Sequence, residues 1–239
     1  MAKIGVVVSK FSFVTRDLSH LLHKASDEND HVVVFVCSAD RSRDYTMPFD
    51  KHERADNILK VIEESDGVEK EDFSIALVKD NPVNKRQWIT DIHAKLDERL
   101  HALYVDRNKL SLNVYVSNES NHQYENIFPE SMFTVHKVSI RNNDQLLEDF
   151  YGMEDITSHV AFPVSKVYDN FRKTELFDQL KKEYSSIMYQ AKQWASAPFP
   201  PTFITTDAVV YHKGYVLVVK RKGVVGKDLY CLPGGFLPQ

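Results

Sequence analysis

Cysteine is scarce: only Cys37 and Cys231 occur in 239 residues. They lie far apart, each in or beside a strand-like apolar run, which excludes a disulfide framework, a CxxC pair and a zinc knuckle and leaves two small buried thiols. No apolar stretch approaches the roughly 20 residues that a membrane span needs. Ile4–Val8 is too short, and lacks the small-residue cleavage site, to be a signal peptide. The expected location is therefore cytoplasmic. Neither sign of charge dominates, since 30 Lys and Arg against 34 Asp and Glu give a net charge of -4. Such a surface offers no bulk attraction for nucleic acid or anionic membrane, so any phosphate chemistry has to come from local groups. Glycine-rich phosphate cradles are missing as well, because neither a dinucleotide fingerprint nor a P-loop follows the first strand-like run. The ten histidines show no HExxH or similar metal-ligand spacing.

What the chain does contain is a series of short valine-rich runs. Ile4–Val8 and His31–Cys37 are apolar throughout, which suits strands buried on both faces of a parallel sheet. Between them Leu18, Leu21, Leu22 and Ala25 recur at helical spacing over Asp17–Ser26, completing a βαβ unit. The alternation continues with a helix over 51–64, a strand at Phe73–Val78, a helix over 85–100, and strands at Leu112–Val116 and Phe133–Val138. This pattern predicts a doubly wound, Rossmann-like α/β domain with a parallel sheet.

The texture changes after Tyr168. A helix is predicted over 174–196, with Leu176, Phe177, Leu180, Tyr184, Ile187 and Met188 on one face, and the prolines of Ala197–Pro201 end it by fixing φ and removing donors. Beyond lie two β-rich runs, Thr202–Tyr211 and Tyr215–Lys220, joined at His212-Lys213-Gly214 as a hairpin. The expected domains are 1–197 and a β-rich part, 198–239. From Thr202 on, the β-rich tail falls below the roughly 40 residues at which domains commonly need extra staples. Its apolar strands are expected to dock on the first domain, to pair with another chain, or to stay poorly ordered with an exposed edge.

In open α/β sheets, ligands bind beyond the carboxyl ends of the strands, where helix N-termini favour phosphate. The segment Ser9–His20 lies in that position and offers Lys10, Arg16 and His20 around a helix start. Read alone, it fits a solvated basic loop as well as a site. Trp88 on an apolar helical face reads first as core. Lys220-Arg221-Lys222 reads equally as a surface cluster or a phosphate contact.

Several stretches together carry a more specific signal. Ser9–His20 is similar to the GRFQ...HxGH loop of nucleotidylyltransferases. Ser38–Phe49 with Glu53-Arg54, and Val116-Ser117-Asn118 through Phe128-Pro129, follow in the matching order. Trp194 to Thr202, Thr206–Val209 and Leu232-Pro233-Gly234-Gly235-Phe236 resemble the linker and opening of a Nudix domain. Taken in order, these segments resemble the bifunctional nicotinamide mononucleotide (NMN) adenylyltransferase/Nudix hydrolase family over essentially the whole chain. The last motif resembles a Nudix box opening, whose first metal-binding glutamate would fall at the second residue past Gln239. A short fragment of a Nudix domain is therefore expected at the C-terminus, without its pyrophosphatase site.

The resemblance implies transfer of AMP from ATP to NMN, giving NAD and pyrophosphate by in-line attack, usually with Mg2+. It implies ATP and NMN or NAD as partners, while a homo-oligomer remains open. Catalysis of this kind rests on positioning and positive charge. By position, the resemblance assigns His20 and Lys10 to catalysis, with Ser9, Phe11, Asp17, Arg43, Arg54, Trp88 and Ser165 contacting nucleotide. The pattern also departs from the family. Lys10 stands for an Arg, losing the bidentate fork. Asp17 replaces a histidine, Ser9 and Ser19 replace glycines, and Ser165, Val167 and Asn170 align with an SxTxxR helix start. Loss of one transition-state donor costs about 2.7–4 kcal/mol. A nucleotide-binding or interaction protein without catalysis is thus the alternative, and an ADP-ribose hydrolase is expected only from a longer protein.

Overall fold

The computed structural model describes residues 2–64, 68–81, 83–103, 110–117, 127–128, 133–140, 143–199, 202 and 204–236. Five parallel strands form one sheet in the order β3-β2-β1-β4-β5: β1 (Ala2–Ser9), β2 (His31–Val36), β3 (Phe73–Leu77), β4 (Leu110–Ser117) and β5 (Thr134–Val138). β1 is central, and Val6 pairs with Val33 on one side and with Val114 on the other. The chain builds outward in one direction as far as β3 and then crosses to β4. The order therefore reverses at β1 and β4, which makes their carboxyl ends the topological switch point where such sheets bind ligands.

Alternation along β1 separates the two faces. Ile4, Val6 and Val8 join Val33, Phe35, Val114 and Val116 in a cluster with Trp88, Ile92, Leu96 and Leu100 of α3 (Lys85–Ala102). Tyr115, the partner of Val7, lies on the opposite face, where its hydroxyl donates to Glu28 of α1 (Arg16–Glu28) and accepts from Asn29 Nδ2. All six residues of β2 are buried. Helices thus cover both faces, and the continuous valine runs have the burial on both sides that parallel strands require.

The expected helices begin where capping side chains place them. Thr15 Oγ1 accepts from the Leu18 amide at the start of α1. In α2 (Lys51–Glu63), Asp50 and Glu53 form a capping box, which satisfies two otherwise orphaned amides. One short helix, α4 (Asp144–Gly152), is additional to the sequence reading, and α5 (Phe162–Phe171) begins ahead of the helix start that the resemblance aligned at Ser165. They seal an aromatic cluster in which Phe13, Phe49, Phe150 and Tyr168 meet at ring distances of 4.8–6.5 Å.

Residues Met1–Arg172 and Lys173–Gln239 are separate compact units. The second contains α6 (Glu175–Trp194), capped by Thr174. It also contains three antiparallel pairs made from β6 (Thr205–Asp207), β7 (Tyr211–His212), β8 (Tyr215–Val216), β9 (Val219–Lys220), β10 (Tyr230–Cys231) and β11 (Gly234–Phe236). The expected hairpin is present as β7–β8. Lys213 and Gly214, both at positive φ (47° and 86°), make the two-residue turn that matches strand twist. β6 pairs with β11, bringing Thr206-Asp207 against Gly234-Gly235, two segments that the sequence reading linked only by resemblance. No helix among the described residues is long and apolar enough to cross a membrane.

Candidate functional site

The carboxyl ends of β1 and β2 are held together by a buried arginine. Arg54 is 1% exposed. Its Nη1 donates to the carbonyls of Lys10 at 2.5 Å and Cys37 at 2.7 Å, and its Nη2 donates to Ser38 O at 3.0 Å. Burial lowers the pKa of the guanidinium from its ordinary value, while the carboxylates of Asp50 and Asp80 act the other way. Next to these carbonyls the backbone turns left-handed at Phe11 (φ 51°) and Ser38 (φ 54°). For residues with a Cβ this conformation costs roughly 1–3 kcal/mol, and it persists only where its surroundings enforce it. The Cys37 amide donates to Ser9 O, and the Ser38 amide donates to Asp80 Oδ1 just past β3. Three consecutive strand ends are thereby tied into one rim.

Above this rim, Lys10 and Phe11 have opposite fates. The Lys10 side chain is exposed, while the Phe11 ring is 1% exposed. Phe11 therefore contributes its backbone turn and anchors the loop from below. Ser9 is buried, and its Oγ accepts from the Phe11 amide at 3.4 Å.

The start of α1 is braced by the segment before α5. Thr15 and Val160 form an antiparallel bridge, the Arg16 amide donates to His159 O, and the Ala161 amide donates to Val14 O. Tyr168 completes the brace by accepting from the Val14 amide at 2.8 Å, and its complete burial pushes the phenol pKa up. These bonds fix the helix start but occupy the Arg16 and Leu18 amides, so part of its anion-binding capacity is already used. Exposed Arg16 and His20 are four residues apart and share a side of α1, with half-buried Asp17 three residues before His20.

The remaining expected site residues lie in structured surroundings. Arg43 Nη1 donates to Glu53 at 2.7 Å and Pro48 O at 3.2 Å, and Arg43 Nη2 donates to Asp50 at 2.8 Å. Two carboxylates thus share its charge. Burial works to raise the Asp50 carboxyl, but the amides of Glu53 and His52, with Arg43 and His52 nearby, hold it below its ordinary value. Trp88, 7% exposed, belongs to the α3 core cluster with Val8, Cys37 and Val78. Ser165 is one turn inside α5, where its Oγ donates to Phe162 O. The helix starts earlier than the aligned motif suggests because Pro163 suits a first turn. Arg172 is buried, donating to the carbonyls of Asp149 and Phe150 and pairing with Asp169.

The structure thus brings Ser9, Lys10, Phe11 and Arg54 together, and places Asp17 and His20 on the adjoining helix. The motif from Val116 to Pro129 falls mostly outside the described residues, as do Leu237–Gln239. Among the described residues, no three His, Cys, Asp or Glu side chains come together as a metal site. Sequence reasoning missed Thr15, Ser38, Asp80 and Tyr168. Only Thr15 carried a local signal, as a cap residue before an amphipathic run; the others act through contacts distant in sequence.

No family model matches the sequence. Among solved structures, the chain is similar to a bifunctional NMN adenylyltransferase/ADP ribose pyrophosphatase from Francisella tularensis, crystallised with AMP and a manganese ion. The TM-score is 0.86 at 23% identity, covering 100% of this chain and 69% of that one. A second structure described by the same name, from the same organism, matches at 22% identity with the same TM-score and the same coverage of both chains. In fold, the chain is thus like these bifunctional proteins along its whole length.

Proposed function

We propose that the first 197 residues form a nucleotidyltransferase of the NMN adenylyltransferase type, joining the AMP part of ATP to NMN with release of pyrophosphate. The observation that carries this reading is the rim at the switch point. Two left-handed turns, pinned by Arg54, present Lys10 beside the start of α1, which carries Arg16 and His20. The fold of the bifunctional proteins supports it. In this reading Lys10 and His20 meet the polyphosphate, favouring the charge that develops on the leaving pyrophosphate. Ser9, Phe11 and Arg54 shape the loop, while Arg43, Trp88 and Ser165 lie at the nucleotide's margins. The acceptor phosphate of NMN attacks directly, so no protein nucleophile is needed.

Mg2+ is the metal such a reaction usually brings. Asp40 Oδ1 accepts from the Asp80 amide, and Asp80 Oδ1 accepts from the Ser38 amide. The described residues build no cage for a divalent ion, and no step is assigned to one. The C-terminal strands are proposed as part of a Nudix fold.

The test is NAD formation by the purified protein with ATP, NMN and magnesium. His20→Ala is expected to lower the rate by about 10²–10³-fold, the loss typical for one transition-state donor. Absence of NAD from the wild-type reaction would overturn the catalytic reading. A second reading, nucleotide binding without turnover, is favoured by Asp17 in the first turn of α1 and by the carboxylates around Arg43. Calorimetry distinguishes it: ATP, NMN or NAD binds while no product forms.

A further inference from the structure

The role of Arg54 can be taken further, on the basis of the nucleotide-site reading above. We propose that Arg54 is a positioning residue of that site: it never touches nucleotide, and its fork holds the Lys10 loop in the shape that receives polyphosphate.

Both terminal nitrogens of Arg54 are engaged by main-chain oxygen, and the residue is 1% exposed, so its side chain has no surface to offer a ligand. Its three acceptors belong to two loops. Lys10 O lies just before left-handed Phe11, and Cys37 O and Ser38 O flank the left-handed turn at Ser38. A planar guanidinium with several fixed donors can span three carbonyls at once, whereas an ammonium on a flexible stem cannot fix the same spacing. These contacts also explain why two unfavourable backbone turns persist in residues that carry side chains. The capping box at Asp50 and Glu53 fixes the first turn of α2, so Arg54 projects from a rigid base. Lys10, whose carbonyl is gripped, keeps its own side chain exposed. Arg54 thus acts on a ligand through Lys10, by fixing where its backbone turns.

Two measurements test this, using the full chain and the variants Arg54→Lys and Arg54→Met. The first is amide hydrogen exchange. In Arg54→Lys, exchange at Phe11 and at Cys37–Ala39 is expected to rise about tenfold or more while Val6 and Val7 in β1 keep their protection. Unchanged exchange in the loops would overturn the pin, whether or not the protein binds nucleotide. The second is calorimetric titration with ATP and with adenosine, which lacks phosphate. Both folded variants are expected to bind ATP at least tenfold more weakly, with adenosine affinity within about twofold of wild type. Equal loss for the two ligands would mean general damage, and wild-type ATP affinity in Arg54→Lys would mean that the fork is dispensable; either result overturns the proposal. If Arg54→Met fails to fold, Arg54→Lys alone decides. A wild-type protein that binds no ATP refutes the nucleotide reading and, with it, the claim about polyphosphate, while the exchange result still judges the pin.

Discussion

Two valine-rich stretches of this chain read alike and end in opposite surroundings. His31–Cys37 is buried throughout, with Val32 to Cys37 at 0% exposure, whereas Val209–Val219 remains open, with Val209 at 69% and Val218 at 48%. The first lies inside a parallel sheet with helices on both faces. The second forms two-residue strands in hairpin pairs. Apolar content therefore marks β-structure in both stretches but burial in only one. The difference arises from what packs on each face, which depends on residues far away in sequence.

This contrast predicts where each unit is sensitive to mutation. The largest effect is expected for Phe35→Ala, which removes a ring at 0% exposure from the core. A loss of about 3–5 kcal/mol is expected. Val218→Ala, at 48% exposure, should stay within about 0.5 kcal/mol, as surface changes do. Urea unfolding of each variant checks the pair, and equal losses would break the comparison.

The second unit is sensitive instead through its backbone. A Cβ at Gly234 would lie 2.3 Å from Thr206 O and 2.2 Å from Asp207 Oδ1, where β11 crosses β6. Gly234→Ala is expected to cost about 1–3 kcal/mol by overpacking. The loss should be local: exchange at the Ala208 amide, which donates to Pro233 O, rises while β1 stays protected. Unchanged exchange at Ala208 would show that the strand pair yields without strain.

Much of the fold was legible because its signals are local. Valine runs gave β1 and β2, their alternation with helical stretches gave β3, β4 and β5, 3.6-residue spacing gave α1, α2, α3 and α6, and Lys213-Gly214 marked the hairpin. α4 escaped because it is short and its buried ring, Phe150, finds its partner far off in Phe13, and α5 was legible only through a resemblance, since its Tyr168 packs on distant Phe49. The site was legible as a position, beyond β1, more than as a set of contacts. Nothing near Arg54 in sequence announces that its acceptors are Lys10, Cys37 and Ser38.

Helix caps provide a milder test within the comparison, because each unit has one threonine in the same role. Thr15 caps α1 by accepting from Leu18, and Thr174 caps α6 by accepting from Phe177, both at 3.2 Å. Replacing either by Ala is expected to cost about 1 kcal/mol. Thr15→Ala should also weaken ATP binding, because the side chain it removes caps the helix start at the proposed site, whereas Thr174→Ala should not. Equal effects on ATP affinity would remove the functional distinction between the two helix starts.

The smallest expected effect concerns pH and belongs to the first unit. His31 opens β2, is 8% exposed, and has an imidazole nitrogen 2.8 Å from Ser74 Oγ. Burial lowers its pKa from the ordinary value, and the charge of Asp72 offsets only part of that shift. A histidine that resists protonation when folded binds fewer protons than its unfolded counterpart, so stability rises with pH between the two pKa values. As pH falls below about 6.5, the usual histidine value, the unfolded chain takes up the proton first and the first unit loses stability. Below the folded-state pKa the loss from this group levels off, and further acid loss comes from carboxylates such as Asp50, whose lowered pKa makes its contribution complete near neutrality and lost only in strong acid. Replacing His31 by Asn should flatten the dependence just below about pH 6.5. The readout is the urea midpoint of the first unit measured across that range. An unchanged slope would show that the buried imidazole titrates no differently in the folded and unfolded chains.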